Sequence, residues 1–196
     1  MSFTKLCGLV VAAALVTGCA HPITINPDFS KMERDAGQQP INKSVGYFIA
    51  PGVRDLPVET PGGGGDKVSY LPYRDLEPAI YKMLSNVFAS VTRLTAASGD
   101  PAVQKNNLTL IVTPKLTTTS SSSSPLTWPP TMFGVELSLD VADTAGGPVM
   151  TYKSVGEGKA EFSEFKADFA LSARRASQDA LLKMQKTLLN APELRK

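Results

Sequence analysis

Between Phe133 and Val155 the chain carries its most restrictive pattern. Phe133, Val135, Leu137, Leu139 and Val141 alternate with Gly134, Glu136, Ser138 and Asp140, so an extended strand here has one apolar and one wet face. Thr144-Ala145-Gly146-Gly147 then turns the chain back into the run from Val149 to Val155, closing an antiparallel hairpin. A sheet with one wet face is covered only on the other, so the remaining apolar segments must stack on that side. The second strand has the composition to continue, irregularly through Gly156 and Gly158, towards Phe162.

Two segments supply the covering layer. Ile80, Met83, Leu84, Val87, Phe88, Val91 and Leu94 fall at spacings of three and four. That stripe predicts one helix running from an N-cap at Asp75, with Pro78 tolerated in the first turn, to the region of Ser98. Each such side chain contributes roughly 1.5–3 kcal/mol when fully buried, so the stripe would dominate packing in this half. A second helix is expected from about Ala167 to Leu189, ended by Asn190 and Pro192. Ala170, Ala173, Ala176 and Ala180 share its inner side, which implies close approach to the sheet.

Further strands are expected at Val45–Ile49, stopped by Pro51-Gly52, and at Leu108–Thr113, where Pro114 implies an edge, a bulge or the strand's end. Val68–Leu71 is strand-like as well. The glycines from Gly62 to Gly65 lack the G-K-[ST] continuation of a phosphate-binding loop and are read as a flexible loop. No internal repeat is visible. The order of elements predicts an α+β two-layer sandwich: a small sheet of about four strands with two helices on one face.

From Thr117 to Pro130 a threonine and serine run leads into Pro125-Leu126-Thr127-Trp128-Pro129-Pro130, which is expected to protrude as a loop. Trp128, the only tryptophan, is the candidate partner contact. Two readings of it stand: a cap over the open end of the sandwich, or an exposed anchor for a partner or lipid headgroups.

The amino-terminal end is of another kind. Lys5 precedes an apolar run from Leu6 to Val16, followed by Thr17, Gly18 and Cys19. A charged start, a short apolar core and small residues before a cleavage point have the plan of an export signal. The run is shorter than the roughly 20 apolar residues of a spanning helix. Leu15-Val16-Thr17-Gly18-Cys19 resembles the lipobox of bacterial lipoproteins, set against an ordinary secretory signal whose cleavage site happens to hold a cysteine. The resemblance implies cleavage between Gly18 and Cys19, a diacylglyceryl thioether on Cys19 and acylation of the new amino terminus. Residues 1–18 are therefore expected to be a lipoprotein signal peptide, 19–42 an acylated tether and 43–196 a single periplasmic domain. Polar residues and Pro22, Pro27 and Pro40 make the tether, although Ile23-Thr24-Ile25 also has the alternation of an edge strand.

Composition then removes several kinds of chemistry. The chain has 20 Lys+Arg and 18 Asp+Glu, so no basic excess argues for nucleic acid or a polybasic membrane patch. Cys7 lies in the signal and Cys19 would be acylated, leaving the folded part without thiol or disulfide. The single histidine, His21, sits two residues beyond the anchor, which leaves no catalytic triad, Cys-His pair or histidine-based zinc site for the domain. Glu157, Glu161 and Glu164 are the only clustered acids and read as a solvated face around a turn. No metal, cofactor or catalytic residue is expected.

Thr17-Gly18-Cys19-Ala20, Tyr73-Arg74-Asp75-Leu76, the strand from Asn107 to Val112, the hairpin from Glu136 to Tyr152 and the alanine-rich last helix together resemble the YajG-like family of Gram-negative envelope lipoproteins. The serine run with Trp128 departs from that family. The resemblance implies a location and a fold but no activity, and Ala20 in place of an aspartate implies sorting to the outer membrane. The expected function is a non-enzymatic outer-membrane lipoprotein, held to the membrane by its lipid, with a periplasmic domain that binds or scaffolds an envelope partner. The alternative is an accessory lipoprotein that binds lipid or lipopolysaccharide in a groove beside the helices, as part of an envelope assembly or transport system.

Overall fold

The computed structural model describes residues 20–34, 37–61, 67–122 and 129–195. Its strands are β1 (His21–Pro22), β2 (Ile41–Tyr47), β3 (Val58–Glu59), β4 (Val68–Tyr70), β5 (Phe88–Arg93), β6 (Leu110–Ser121), β7 (Met132–Asp143) and β8 (Pro148–Lys159). The helices are α1 (Pro51–Arg54), α2 (Pro72–Val87), α3 (Pro101–Lys105), α4 (Phe162–Ala167) and α5 (Leu171–Leu189). The fold is α+β, with a five-stranded sheet ordered β5-β2-β6-β7-β8 and a three-stranded one ordered β1-β4-β3, in place of the single sheet of about four strands expected.

The hairpin forms as its alternation dictates. β7 pairs antiparallel with β8, setting Leu139 opposite Tyr152, Leu137 opposite Ser154 and Val135 opposite Gly156. Phe133, Val135, Leu137, Leu139 and Val141 join Val45, Tyr47, Leu110 and Val112 in one buried cluster. Ile80, Met83, Leu84 and Val87 of α2 and Ala173, Ala176, Ala180, Leu181 and Met184 of α5 complete that cluster from above. The alanines do bring α5 close. A β-carbon on Gly156 would lie 2.2 Å from both Ala176 O and Ala180 N, and one on Gly158 would lie 1.9 Å from Ser172 O. β8 consequently runs regularly through both glycines to Lys159.

Three expectations are corrected. First, the helix does not reach Leu94: α2 ends at Val87, and Phe88 begins β5, which pairs parallel with β2. Phe88-Ala89-Ser90-Val91-Thr92-Arg93 is rich in β-branched and hydroxyl side chains that favour an extended chain. The edge of β2 gives its backbone partners, and α2 is the long crossover a parallel pair requires. Leu94 is carried to the other side of the sheet, where it packs with Leu108 and Ile111. Asp75 is not the N-cap either, because α2 starts at Pro72; it lies in the first turn and accepts the Ile25 N–H at 3.3 Å. Burial raises its carboxyl pKa.

Second, β6 continues through Pro114 and the threonine and serine run to Ser121, so that stretch is strand rather than loop. Pro114 is tolerated because β2 leaves β6 after Phe48, whose N–H donates to Val112 O at 3.0 Å. The missing amide thus faces a vacated side. Further along that side the Leu116 N–H donates to the Tyr73 hydroxyl at 3.1 Å, and the hydroxyls of Tyr70 and Thr118 meet at 2.7 Å.

Third, residues 20–34 are packed on the domain and are not a free tether. The His21 N–H donates to Lys67 O and the Ile23 N–H to Ser69 O, both at 2.8 Å, as β1 lies parallel to β4. Ile25 and Met32 are fully buried. The Asn86 side chain of α2 donates to Met32 O and to Gln185 Oε1, and Gln185 of α5 donates to Glu33 O at 3.2 Å. The segment is therefore a strap along both long helices. Two buried apolar side chains and paired backbone groups offset its ordering entropy, which composition alone had weighed too heavily.

Candidate functional site

Gly18 and Cys19 lie outside the described residues, as does Trp128. What surrounds them in sequence is described. Ala20 and His21 lie beside β4, while Pro129 and Pro130 are buried where β7 begins. The Ser172 hydroxyl of α5 donates to Pro130 O at 2.8 Å, and the Ala160 N–H donates to Thr131 O at 2.8 Å. The His21 ring stacks on Phe169, with centroids 4.2 Å apart and planes 12° from parallel. The chain leading to Cys19 and the chain flanking Trp128 thus reach the same end of the domain, the end where β8 passes into α4.

At that end the outer face of the sheet holds an open depression of about 460 Å³, lined by Thr119, Ser121, Met132, Gly134, Glu157 and Lys159 among others. Its floor is low because Gly134 carries no side chain, and the Thr119 hydroxyl sits 2.6 Å from where a β-carbon would be. The lining offers hydroxyls, one carboxylate and one amine, suited to hydrogen bonding with a polar or peptidic surface. The rest of this face is laced by charge pairs across the strands, Lys115–Asp140 at 2.6 Å and Lys153–Glu136 at 3.9 Å.

The acids singled out in the sequence are spread over separate tasks. Glu157 is exposed on β8, and its N–H donates to the Asp179 carboxylate at 3.0 Å. Glu161 and Glu164 form the capping box of α4. Both terminal nitrogens of the Arg175 guanidinium also donate to Glu164, at 2.9 and 3.1 Å, and this pairing draws its carboxyl pKa down to about 2. The geometry therefore brings no two of these carboxylates into an acid–base pair. Among the described residues no group of three His, Cys, Asp or Glu is placed to hold a metal ion.

Sequence reasoning missed Glu77. It lies on the inner side of α2, buried, with Arg54 Nε at 2.8 Å from one oxygen and Arg93 Nε at 2.7 Å from the other. The Tyr47 hydroxyl donates to it at 3.3 Å, and burial, then the Glu77 charge, pushes that phenol up to about 12. The cluster ties α1, β2 and β5 to α2. A legible signal existed: Glu77 occupies the apolar stripe one turn before Ile80 and two before Leu84, and an acid there needs a buried partner.

No family model and no curated protein matches the chain. Solved structures do. A Xanthomonas campestris protein of family DUF330 superposes with a TM-score of 0.51 at 12% identity, over 87% of this chain and 92% of its own. The chain shares its fold. A Helicobacter pylori protein described as a provisional neuraminyllactose-binding hemagglutinin homolog gives 0.46 at 14% identity, over 80% of this chain and 90% of that one. A Caulobacter crescentus protein provisionally described as a lipoprotein gives 0.33 at 12%, over 58% and 77%.

Proposed function

We propose that the chain is a non-enzymatic lipoprotein of the Gram-negative outer membrane, its domain facing the periplasm and binding or scaffolding an envelope partner. The observation that carries this reading is the sequence Leu15-Val16-Thr17-Gly18-Cys19 at the end of a short apolar run. Among the described residues no helix is long and apolar enough to cross a membrane, so the thioether lipid on Cys19 would supply the attachment. Ala20 favours the outer membrane. The sequence resemblance to YajG-like lipoproteins is in keeping with this reading. Beside the long helices Ile25 and Met32 are buried, and the open depressions there are lined mainly by polar and charged side chains such as Glu33, Arg34, Gln38 and Lys82, a poor match for acyl chains. The binding surface is better placed on the outer face of β6, β7 and β8, near Ser122 and Pro129, between which Trp128 falls in the sequence.

Cys19→Ala tests the anchor. Expressed in a Gram-negative host with radiolabelled palmitate, the variant should lose all acyl label and keep residues 1–18. Recovery of a mature, membrane-bound Cys19→Ala protein would sink the assignment.

A further inference from the structure

If Cys19 carries the lipid, the packing of the residues just after it fixes how the domain meets the membrane. Only Ala20 separates Cys19 from His21, which is held twice: its N–H donates to Lys67 O at 2.8 Å and its ring stacks on Phe169. Ile23 continues the pairing with β4, and Ile25 is fully buried. Two residues span at most about 7 Å, whereas a free tether to residue 42 could have reached about 70 Å. Acyl chains on Cys19 must lie in hydrocarbon, so the end of the domain around His21 and Phe169 is drawn into the headgroup layer.

That end is equipped for the contact. Phe162, at the start of α4, is 55% exposed, the most exposed phenylalanine among the described residues. Phe165, one turn on, is buried and meets Phe169 edge-on at 5.1 Å. The Lys166 amine lies over the Phe169 ring at 5.4 Å, and Lys159 is exposed at the end of β8. The exposed Glu161 also borders Phe162 and pairs with Lys159 at 4.0 Å, so it is the exposed aromatic beside a mixed-charge surface, not net positive charge, that favours the boundary between acyl chains and headgroups. The exposed Val149 and Met150 are on the far part of β8, about 30 Å along the strand from Lys159.

We infer that the acylated domain sits flush on the phospholipid surface, with its His21–Phe169 end in the headgroups and Phe162 at the acyl boundary, instead of swinging on a tether. This rests on the lipoprotein reading. It also sets orientation: the turn between β7 and β8 points away from the bilayer, and the outer sheet face stands at a fixed height with its depression around Thr119 and Gly134 close to the headgroups.

The experiment uses the full, acylated protein. Cys7 and Cys19 are its only cysteines, so a cysteine introduced after maturation is the sole free thiol. Ser163→Cys and Ala167→Cys, both exposed on α4, and Ala145→Cys, exposed in the distal turn, are each labelled with a nitroxide. Each is placed in vesicles of phosphatidylethanolamine with one-quarter phosphatidylglycerol. Electron paramagnetic resonance then compares relaxation by oxygen, which concentrates in lipid, with relaxation by a water-soluble nickel chelate. The expected result is a several-fold higher oxygen-to-nickel ratio at 163 and 167 than at 145. Mass spectrometry of the same samples shows whether Cys19 is acylated. Acylated protein with equal ratios at all three positions would overturn the flush arrangement alone. Unacylated protein would overturn the lipoprotein reading and the arrangement with it.

Discussion

Gly156→Ala puts the close packing of α5 on β8 under test. The added β-carbon would meet Ala176 O and Ala180 N at 2.2 Å, about 1 Å inside an ordinary carbon–oxygen contact. Both are backbone atoms of a helix, so no rotamer change relieves the clash, and α5 must retreat by about that 1 Å. A gap of that size forfeits a quarter to a half of the dispersion attraction across the interface. Ala173, Ala176 and Ala180, all at 0–1% exposure, lose it together. Overpacking of this kind costs about 1–3 kcal/mol, here at the upper end because the obstruction is rigid. Stiffening of the unfolded chain by alanine returns roughly 0.4–1 kcal/mol. The net loss is about 2–2.6 kcal/mol, or a fall in Tm of roughly 4–10 °C for a chain of this length. Gly52→Ala is the control, since nothing lies within 4 Å of its added carbon. Differential scanning calorimetry of both variants gives the answer. If they melt within about 2 °C of each other, α5 does not lie as close to β8 as described.

Two further substitutions probe other contacts. The Asp100 carboxylate accepts from the Ala102 N–H at 2.8 Å and from the N–H and hydroxyl of Thr95 at 2.6 and 2.8 Å, which lowers its pKa from 3.8 to about 2. A depressed folded pKa adds stability above the unfolded value and loses it as pH falls. The gap in urea midpoint between the native protein and Asp100→Asn should therefore be full at neutral pH and close between about 3.8 and about 2; a gap that persists below that window contradicts the assignment. Tyr73→Phe strips the Leu116 N–H of its acceptor and should destabilise by about 1–2 kcal/mol. Amide exchange at Leu116 should quicken while that at Val112, paired with β2, does not; equal protection at Leu116 in both proteins would show that water or another group serves that amide.

The sequence by itself determined the elements whose pattern is local. Alternation from Phe133 to Val141 specified β7, its wet face and the hairpin with β8. The alanines of α5 announced a close approach, which the neighbouring Gly156 and Gly158 complete. The stripe from Ile80 to Val87 named the inner face of α2. At the amino terminus, the motif ending in Cys19 carried the proposed anchor without help from the fold. Only the tertiary structure decided where these elements stop and what joins them. Phe88, Val91 and Leu94 keep the helical spacing, yet the free edge of β2 draws them into β5, because backbone pairing outweighs a periodicity that cannot see it. Pro114 and the serines read as the end of a strand until the vacated side of β6 and the Tyr73 hydroxyl are in place. His21 looked stranded beside an anchor, and its stacking on Phe169 depends on residues at the far end of the chain. Periodicity records which side of an element is apolar; burial of Ile25 and Met32 depends on the distant surfaces of α2 and α5, which exist only once the chain has folded.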